Sequence, residues 1–133
     1  MSEIEIYKTQ EGKTEVQVRI EKETVWLSQK QIAQVFGIGV PAINKHIKNI
    51  VKEGELSPEA TISKMEIVQK EGNRQIIREI EIYNLDFIIS VGYRINSSRA
   101  TQFRIWATQR LKVIFQAILS QHNGKSNRNL SIA

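Results

Sequence analysis

Between Ile32 and Ile43 the chain meets six spacing constraints at once, and few supersecondary structures need all of them. Ala33 is small enough to let a second helix cross a first at close range. Gly37, four residues on, takes the left-handed conformation that stops a helix sharply. Ile32, Phe36, Ile38 and Ile43 are apolar anchors that lock two helices at a fixed angle. This spacing predicts a helix-turn-helix between Leu27 and Val51. Ser28 is the expected N-cap of its first helix. Pro41 sits at the start of the second, where its missing N–H costs nothing. Ile43, Ile47, Ile50 and Val51 then form one apolar stripe on that second helix. A helix pair that packs as a plain αα-hairpin satisfies the same pattern, so the spacing alone does not assign a role.

The flanking segments read as short strands and further helices. Val16, Val18 and Ile20 alternate with Gln17 and Arg19, the period of a half-buried strand. Glu11-Gly12-Lys13 is a turn signal that lets Ile4–Tyr7 pair with it, and Thr24–Leu27 completes a small meander after a turn at Glu21-Lys22-Glu23. Glu53-Gly54-Glu55 and Ser57-Pro58 end the second helix. Ile62–Gln69 and Gln75–Tyr83 read as a hairpin, with Ile76, Arg78, Ile80 and Ile82 on one side and a turn across Lys70-Glu71-Gly72-Asn73-Arg74. Asn84 caps a short apolar helix, Leu85–Val91, which Gly92 is expected to terminate. Ser97 or Ser98 caps a long helix to about Gln121, with a stripe of Ala100, Phe103, Ala107, Leu111, Ile114 and Ile118 widened by Trp106, Phe115 and Leu119. The expected fold is α+β: a winged helix-turn-helix with small antiparallel β elements and a long C-terminal helix, over residues 1–121. Residues 122–133 are mostly polar and unpatterned, and are expected to be a disordered tail.

Charge narrows the function. The net charge of +5 is unevenly spread: residues 84–133 set seven Lys and Arg against Asp86 alone, and residues 28–56 carry a net +2, while the strand-rich stretches are slightly acidic. Basic excess localised on helical stretches suits a phosphate backbone, although solubility alone also explains surplus lysine. With no cysteine there are no disulfides and no thiolate chemistry. Met1–Tyr7 lacks the apolar region of a signal peptide, and no apolar run approaches the ~20 residues needed to cross a bilayer. A cytoplasmic protein without membrane contact is expected.

On the second helix, Val40, Pro41, Asn44, Lys45 and Lys48 point away from the Ile43/Ile47 stripe and are the expected double-stranded DNA contacts. A carboxamide such as Asn44 matches adenine N6/N7, Lys45 suits guanine or phosphate, and Val40 or Ala42 a thymine methyl. Gln29 opens the first helix, where its backbone N–H meets phosphate. Lys70, Asn73 and Arg74 occupy the wing tip, facing either a minor groove or backbone, or having no DNA role. His46, beside the apolar stripe, is read as packing or, failing that, as a phosphate contact. Arg94, Arg99, Arg104 and Arg110 are expected to pair with strand glutamates such as Glu79 and Glu81, with Phe103 and Trp106 in the core.

Several runs in one order carry a family resemblance: Val25-Trp26-Leu27-Ser28-Gln29, His46-Ile47-Lys48-Asn49-Ile50, Glu53-Gly54-Glu55-Leu56, Tyr83-Asn84-Leu85-Asp86, Ile88-Ile89-Ser90-Val91-Gly92-Tyr93-Arg94-Ile95-Asn96-Ser97 and Thr101-Gln102-Phe103-Arg104-Ile105-Trp106-Ala107. From about Ile6 to Leu111 the chain resembles the RhuM virulence-protein family. The 100–106 run is also similar, more weakly, to phage antirepressor domains. The resemblance implies a DNA-binding regulator of prophage or restriction-modification type, without an established reaction. Family members usually continue past this length, so a C-terminal region is expected to be missing.

Two other classes compete with this reading. An enzyme lacks support: Asp86 is the sole Asp, His46 and His122 are far apart, and there is no ligand cluster, phosphate-cradling loop or nucleophile elbow. Tyr93 beside Arg94 is the one conceivable nucleophile. The expectation is a non-enzymatic protein without cofactor or metal. The alternative is a protein-interaction, antirepressor-like module. The wide apolar face of the long helix suggests a homodimer in either case.

Overall fold

The computed structural model describes residues 3–9, 12 and 14–130, with side chains as far as residue 120. Ten elements follow one another: β1 (Glu3–Lys8), β2 (Glu15–Glu21), β3 (Thr24–Ser28), α1 (Gln29–Phe36), α2 (Val40–Lys52), α3 (Pro58–Thr61), β4 (Ile62–Glu71), β5 (Arg74–Asn84), α4 (Leu85–Arg94) and α5 (Ser98–Leu130). The fold is mixed α+β, with one antiparallel sheet in the order β1-β2-β3-β5-β4.

The expected alternation on β2 is present, with Val16, Val18 and Ile20 buried and Gln17 exposed. β1 pairs with it antiparallel, Tyr7 opposite Val16. In the connecting turn Gly12 takes a positive φ of 68° and its N–H donates to the Thr9 carbonyl at 2.7 Å; Glu11 and Lys13 of that expected turn lie outside the described residues. Lys22 and Glu23 turn the chain from β2 into β3.

One expectation needs correcting. Meander and hairpin are not separate elements: β3 pairs antiparallel with β5, Trp26 opposite Asn84, Leu27 opposite Tyr83 and Ser28 opposite Ile82. Both strands run straight into helix caps. The Ser28 hydroxyl accepts from the Gln31 N–H while the Gln31 carboxamide accepts from the Ser28 N–H, a reciprocal box that starts α1. Asn84 likewise accepts from the Phe87 N–H and starts α4. Such caps contribute about 1 kcal/mol each.

Gly37 ends α1 at φ 68° as expected, and its N–H donates to the Ala33 carbonyl at 2.8 Å. A Cβ there would stand 2.5 Å from Arg99 Nη1, so the first turn of α5 lies against this bend. Ile43, Ile47 and Ile50 are buried on α2, but Val51 is not: it turns outward. The one-turn α3 was not expected from the sequence.

The core lies between the Val25/Leu27 face of the sheet and the helices. It holds Ile32, Val35 and Phe36 of α1, the three α2 isoleucines, Phe87, Ile88 and Val91 of α4, and Ala100, Phe103 and Ala107 of α5. α5 is docked on the sheet edge by an aromatic trio. Tyr7 stands edge-on to Phe103 and to Trp106, both at 5.0 Å between ring centroids. Burial raises the Tyr7 pKa above its ordinary value, with the Arg99 charge opposing the shift. Phe103 is core and Trp106 only half-buried, with Arg110 stacked 6.0 Å over its ring.

Arg94 does not pair with a strand glutamate as expected. Arg94 bonds Glu53 and lies 3.7 Å from Glu55, tying α4 to the end of α2; Arg78 bonds Glu71, and it is Lys64 that meets Glu79, at 3.5 Å. α5 stays helical to Leu130, beyond Gln121 where the sequence reading ends it. Residues 131–133 of the expected tail lie outside the described residues.

Gly92 also departs from the expectation. It does not terminate α4, which runs on to Arg94; it is buried inside the helix, where α1 and α5 come too close for a side chain. An added Cβ would collide with the Ala100 methyl and stand 2.9 Å from Phe36 Cζ. Gly92→Ala is therefore expected to lower stability by about 1–3 kcal/mol despite alanine's better helix propensity. Urea unfolding reads this as a lower midpoint at an unchanged slope, and an equal or higher midpoint would refute the close approach.

Candidate functional site

The helix pair presents its polar edge outward. With Ile43, Ile47 and Ile50 held in the core, α2 leaves Val40, Pro41, Lys45 and Lys48 exposed. His46 is half-buried. Pro41 occupies the first turn of α2, as read from the sequence. Val40 and Lys48 share a groove with Gln29 and Lys30 at the start of α1.

Between that helical edge and the β4–β5 hairpin lies an open groove of about 910 Å³. Its floor is largely apolar, with Val40, Ile47 and Val51 on the α2 side and Ile62, Ile67 and Ile80 on the hairpin side. Lys30, Lys48 and Lys52 stand at its helical rim, and Glu81 is its one acid. The hairpin carries Lys70, Asn73 and Arg74 at its far end, all exposed. Its turn is tighter than expected, only Gly72 and Asn73, and Gly72 takes the positive φ (62°) such a loop calls for. The outer hairpin exposes Val68 and Ile77, which face each other across the strands at 66% and 67% exposure.

Asn44 does not simply point to solvent. It is half-buried, and its Nδ2 donates to Gln29 Oε1 at 3.2 Å. Gln29 Nε2 in turn donates to the Tyr83 hydroxyl at 3.1 Å, and that hydroxyl donates to Glu81 Oε2 at 3.1 Å. Four side chains from α2, α1 and β5 thus form one hydrogen-bonded chain along the groove. The β3–β5 register builds it. Leu27 opposite Tyr83 places the phenol beside the residue that follows the Ser28 cap, and Glu81, two residues before Tyr83, shares its face of β5.

Of the nine residues singled out for DNA contact, Gln29, Val40, Asn44 and Lys48 line this groove. Pro41 and Lys45 lie on the outer edge of α2. Lys70, Asn73 and Arg74 form a separate group at the hairpin end. Sequence reasoning missed Tyr83 and Glu81, which lie more than fifty residues from Gln29 and reach it only through strand pairing. Tyr93 is exposed, but its neighbour Arg94 is committed to Glu53 and Glu55, and that contact draws the Glu53 carboxyl below its usual range. Among the described residues there is no cluster of metal-ligating side chains, and no helix is long and apolar enough to cross a membrane.

Comparison with protein families gives one finding. The sequence model of the Virulence protein RhuM family matches residues 60–119. This stretch of the chain is RhuM-like. It runs from α3 through the hairpin and α4 into α5, and so includes Glu81 and Tyr83. The Val25–Gln29, His46–Ile50 and Glu53–Leu56 runs lie before it, and the likeness of the 100–106 run to phage antirepressor domains is not shown. Neither curated proteins nor solved structures gave a match.

Burial pushes the Tyr83 phenol up to about 12; the Gln29 hydrogen bond opposes the shift and the negative Glu81 adds to it. The folded state therefore keeps the proton where the unfolded state, near 10, releases it. Stability is intact below pH 10 and falls as pH rises from 10 towards 12, by on the order of 2 kcal/mol in total. Absorbance titration at 295 nm should show a phenolate step near pH 12 that disappears in Tyr83→Phe, and the same step at pH 10 would contradict the buried, hydrogen-bonded phenol.

Proposed function

We propose that this chain is a sequence-specific binder of double-stranded DNA, a transcriptional regulator of prophage or restriction-modification type. In this reading α1 and α2 are a helix-turn-helix and the β4–β5 hairpin is its wing. The observation that carries it is the division of α2. One side is locked into the core by Ile43, Ile47 and Ile50, while Val40, Pro41 and Lys45 stand exposed in its N-terminal half, with Lys48 exposed just beyond. That is the part of a recognition helix that enters a major groove. Asn44 reads a base from a fixed orientation, Lys45 a base or phosphate, and Lys48 phosphate. Gln29 approaches the backbone at the start of α1, and Lys70, Asn73 and Arg74 meet DNA from the wing. The protein acts in the cytoplasm, without a cofactor and without catalysing a reaction.

Site selection from random DNA followed by titration tests this. Asn44→Ala should lose preference at one base pair, worth about 1–3 kcal/mol, whereas Lys48→Ala should weaken all sequences alike and flatten the salt dependence. Parent affinity and preference in Asn44→Ala would remove the assignment.

The apolar floor of the groove favours a second reading, an antirepressor-like protein-interaction module, because buried isoleucine and valine contacts suit a protein partner better than phosphate. Salt separates the two. Binding through several phosphates falls steeply between about 50 and 200 mM salt, while an apolar protein interface does not weaken in this way.

The second half of α5 supports a homodimer. Beyond Ile114, which still packs against the core, its stripe becomes exposed, with Phe115 at 52% and Ile118 at 58% exposure. Sedimentation should give a dimer at micromolar concentration that Phe115→Glu/Ile118→Glu converts to a monomer; a monomeric parent would rule it out.

A further inference from the structure

An ionised carboxylate accepts hydrogen bonds and cannot donate them, so a hydrogen-bonded chain that ends on one has a fixed direction. The chain in the groove ends on Glu81. Its Oε2 accepts a hydrogen bond from the Tyr83 hydroxyl, leaving the phenol oxygen to accept from Gln29 Nε2. The Gln29 carboxamide is thereby turned so that Oε1 faces α2, and only the amino group of Asn44 answers it.

This direction determines what Asn44 has left to offer. One of its two N–H groups is spent on Gln29, and it retains one N–H donor and the Oδ1 acceptor. Adenine presents an acceptor at N7 and a donor at N6 in the major groove, which matches that pair. Guanine presents two acceptors, N7 and O6, and does not. In the reversed chain Gln29 would donate to Asn44 Oδ1, leaving both Asn44 N–H groups outward, an arrangement that suits guanine.

We propose that Glu81 and Tyr83, which face the groove rather than the DNA edge of α2, are positioning residues that set base preference: they hold Asn44 in the orientation that selects adenine over guanine. The inference rests on the reading of Asn44 as a base contact. Glu81→Gln is the discriminating variant, because a carboxamide can donate to the Tyr83 oxygen and so permits the reversed chain. Tyr83→Phe, which removes the link altogether, is the second.

The test has two arms on the full chain. In the free protein, 15N-resolved spectra should show the Asn44 side-chain NH2 pair shifted in Glu81→Gln and in Tyr83→Phe, without any DNA present. In titrations against duplexes selected by the parent and their single adenine-to-guanine variants, Glu81→Gln should reduce the adenine:guanine affinity ratio at the Asn44-dependent pair by about tenfold. The ratio is the proper readout, since removing a negative charge raises affinity for every sequence together. An unchanged ratio in Glu81→Gln, where Asn44→Ala does lose the preference, would overturn the positioning role and leave the DNA-binding reading standing. Loss of no preference in Asn44→Ala, or no DNA binding by the parent, would overturn both. Should Glu81→Gln fold poorly, a parental ratio in a folded Tyr83→Phe overturns the role equally.

Discussion

Three residue pairs between β3 and β5 hold this structure together. Leu27 opposite Tyr83, with Trp26–Asn84 and Ser28–Ile82 on either side, joins an N-terminal meander to a hairpin more than fifty residues away. Both strands end at helix caps, so the pairing also determines where α1 and α4 begin and that they leave the sheet in opposite directions. Each cap satisfies backbone N–H groups that would otherwise lose their partners at a buried helix start. The isoleucines of α1, α2 and α4 then converge on the sheet face carrying Val25 and Leu27, and α5 closes the core with Phe103 against Tyr7.

The groove follows from that same join. α2 is held by its buried isoleucines and, at its far end, by Arg94 bonding Glu53. The hairpin is held only at its base, where Ile82, Tyr83 and Asn84 are buried. The hairpin's outer part, lacking such support, stands away from α2 and leaves an open trough between them. Polar side chains bridge from α2 to β5 beside the β3–β5 join, and apolar ones also line the trough. That division explains why one surface supports two readings: its lysine rim and exposed α2 edge suit phosphate and bases, and its floor suits a protein.

Local chemistry made much of the fold legible. The Ser28 and Asn84 caps, the Gly37 bend, the alternation on β2 and the stripes on α2 and α5 are all written within a few residues of where they act. Gly92 was misread for the same reason. Seen locally, glycine in an apolar run signals a helix end, but its cause is the approach of Ala100 and Phe36 from other helices. The partner of Arg94 is hidden likewise, because which acid lies near it is decided by where α2 ends in space.

The sequence by itself determined the helix pair, the Ser28 cap, the Ile32, Phe36 and Ile43 anchors and the exposure of Val40, Pro41, Lys45 and Lys48, because helical and strand periodicities divide residues into faces without reference to the rest of the chain. Tertiary structure alone decided that the meander and hairpin are one sheet, that a groove separates hairpin from α2, and that Asn44 is tethered through Gln29 and Tyr83 to Glu81. Strand register is a long-range quantity: the same two strands shifted by one residue would turn Tyr83 to the other face of the sheet. No pattern within either strand records which partner it will meet.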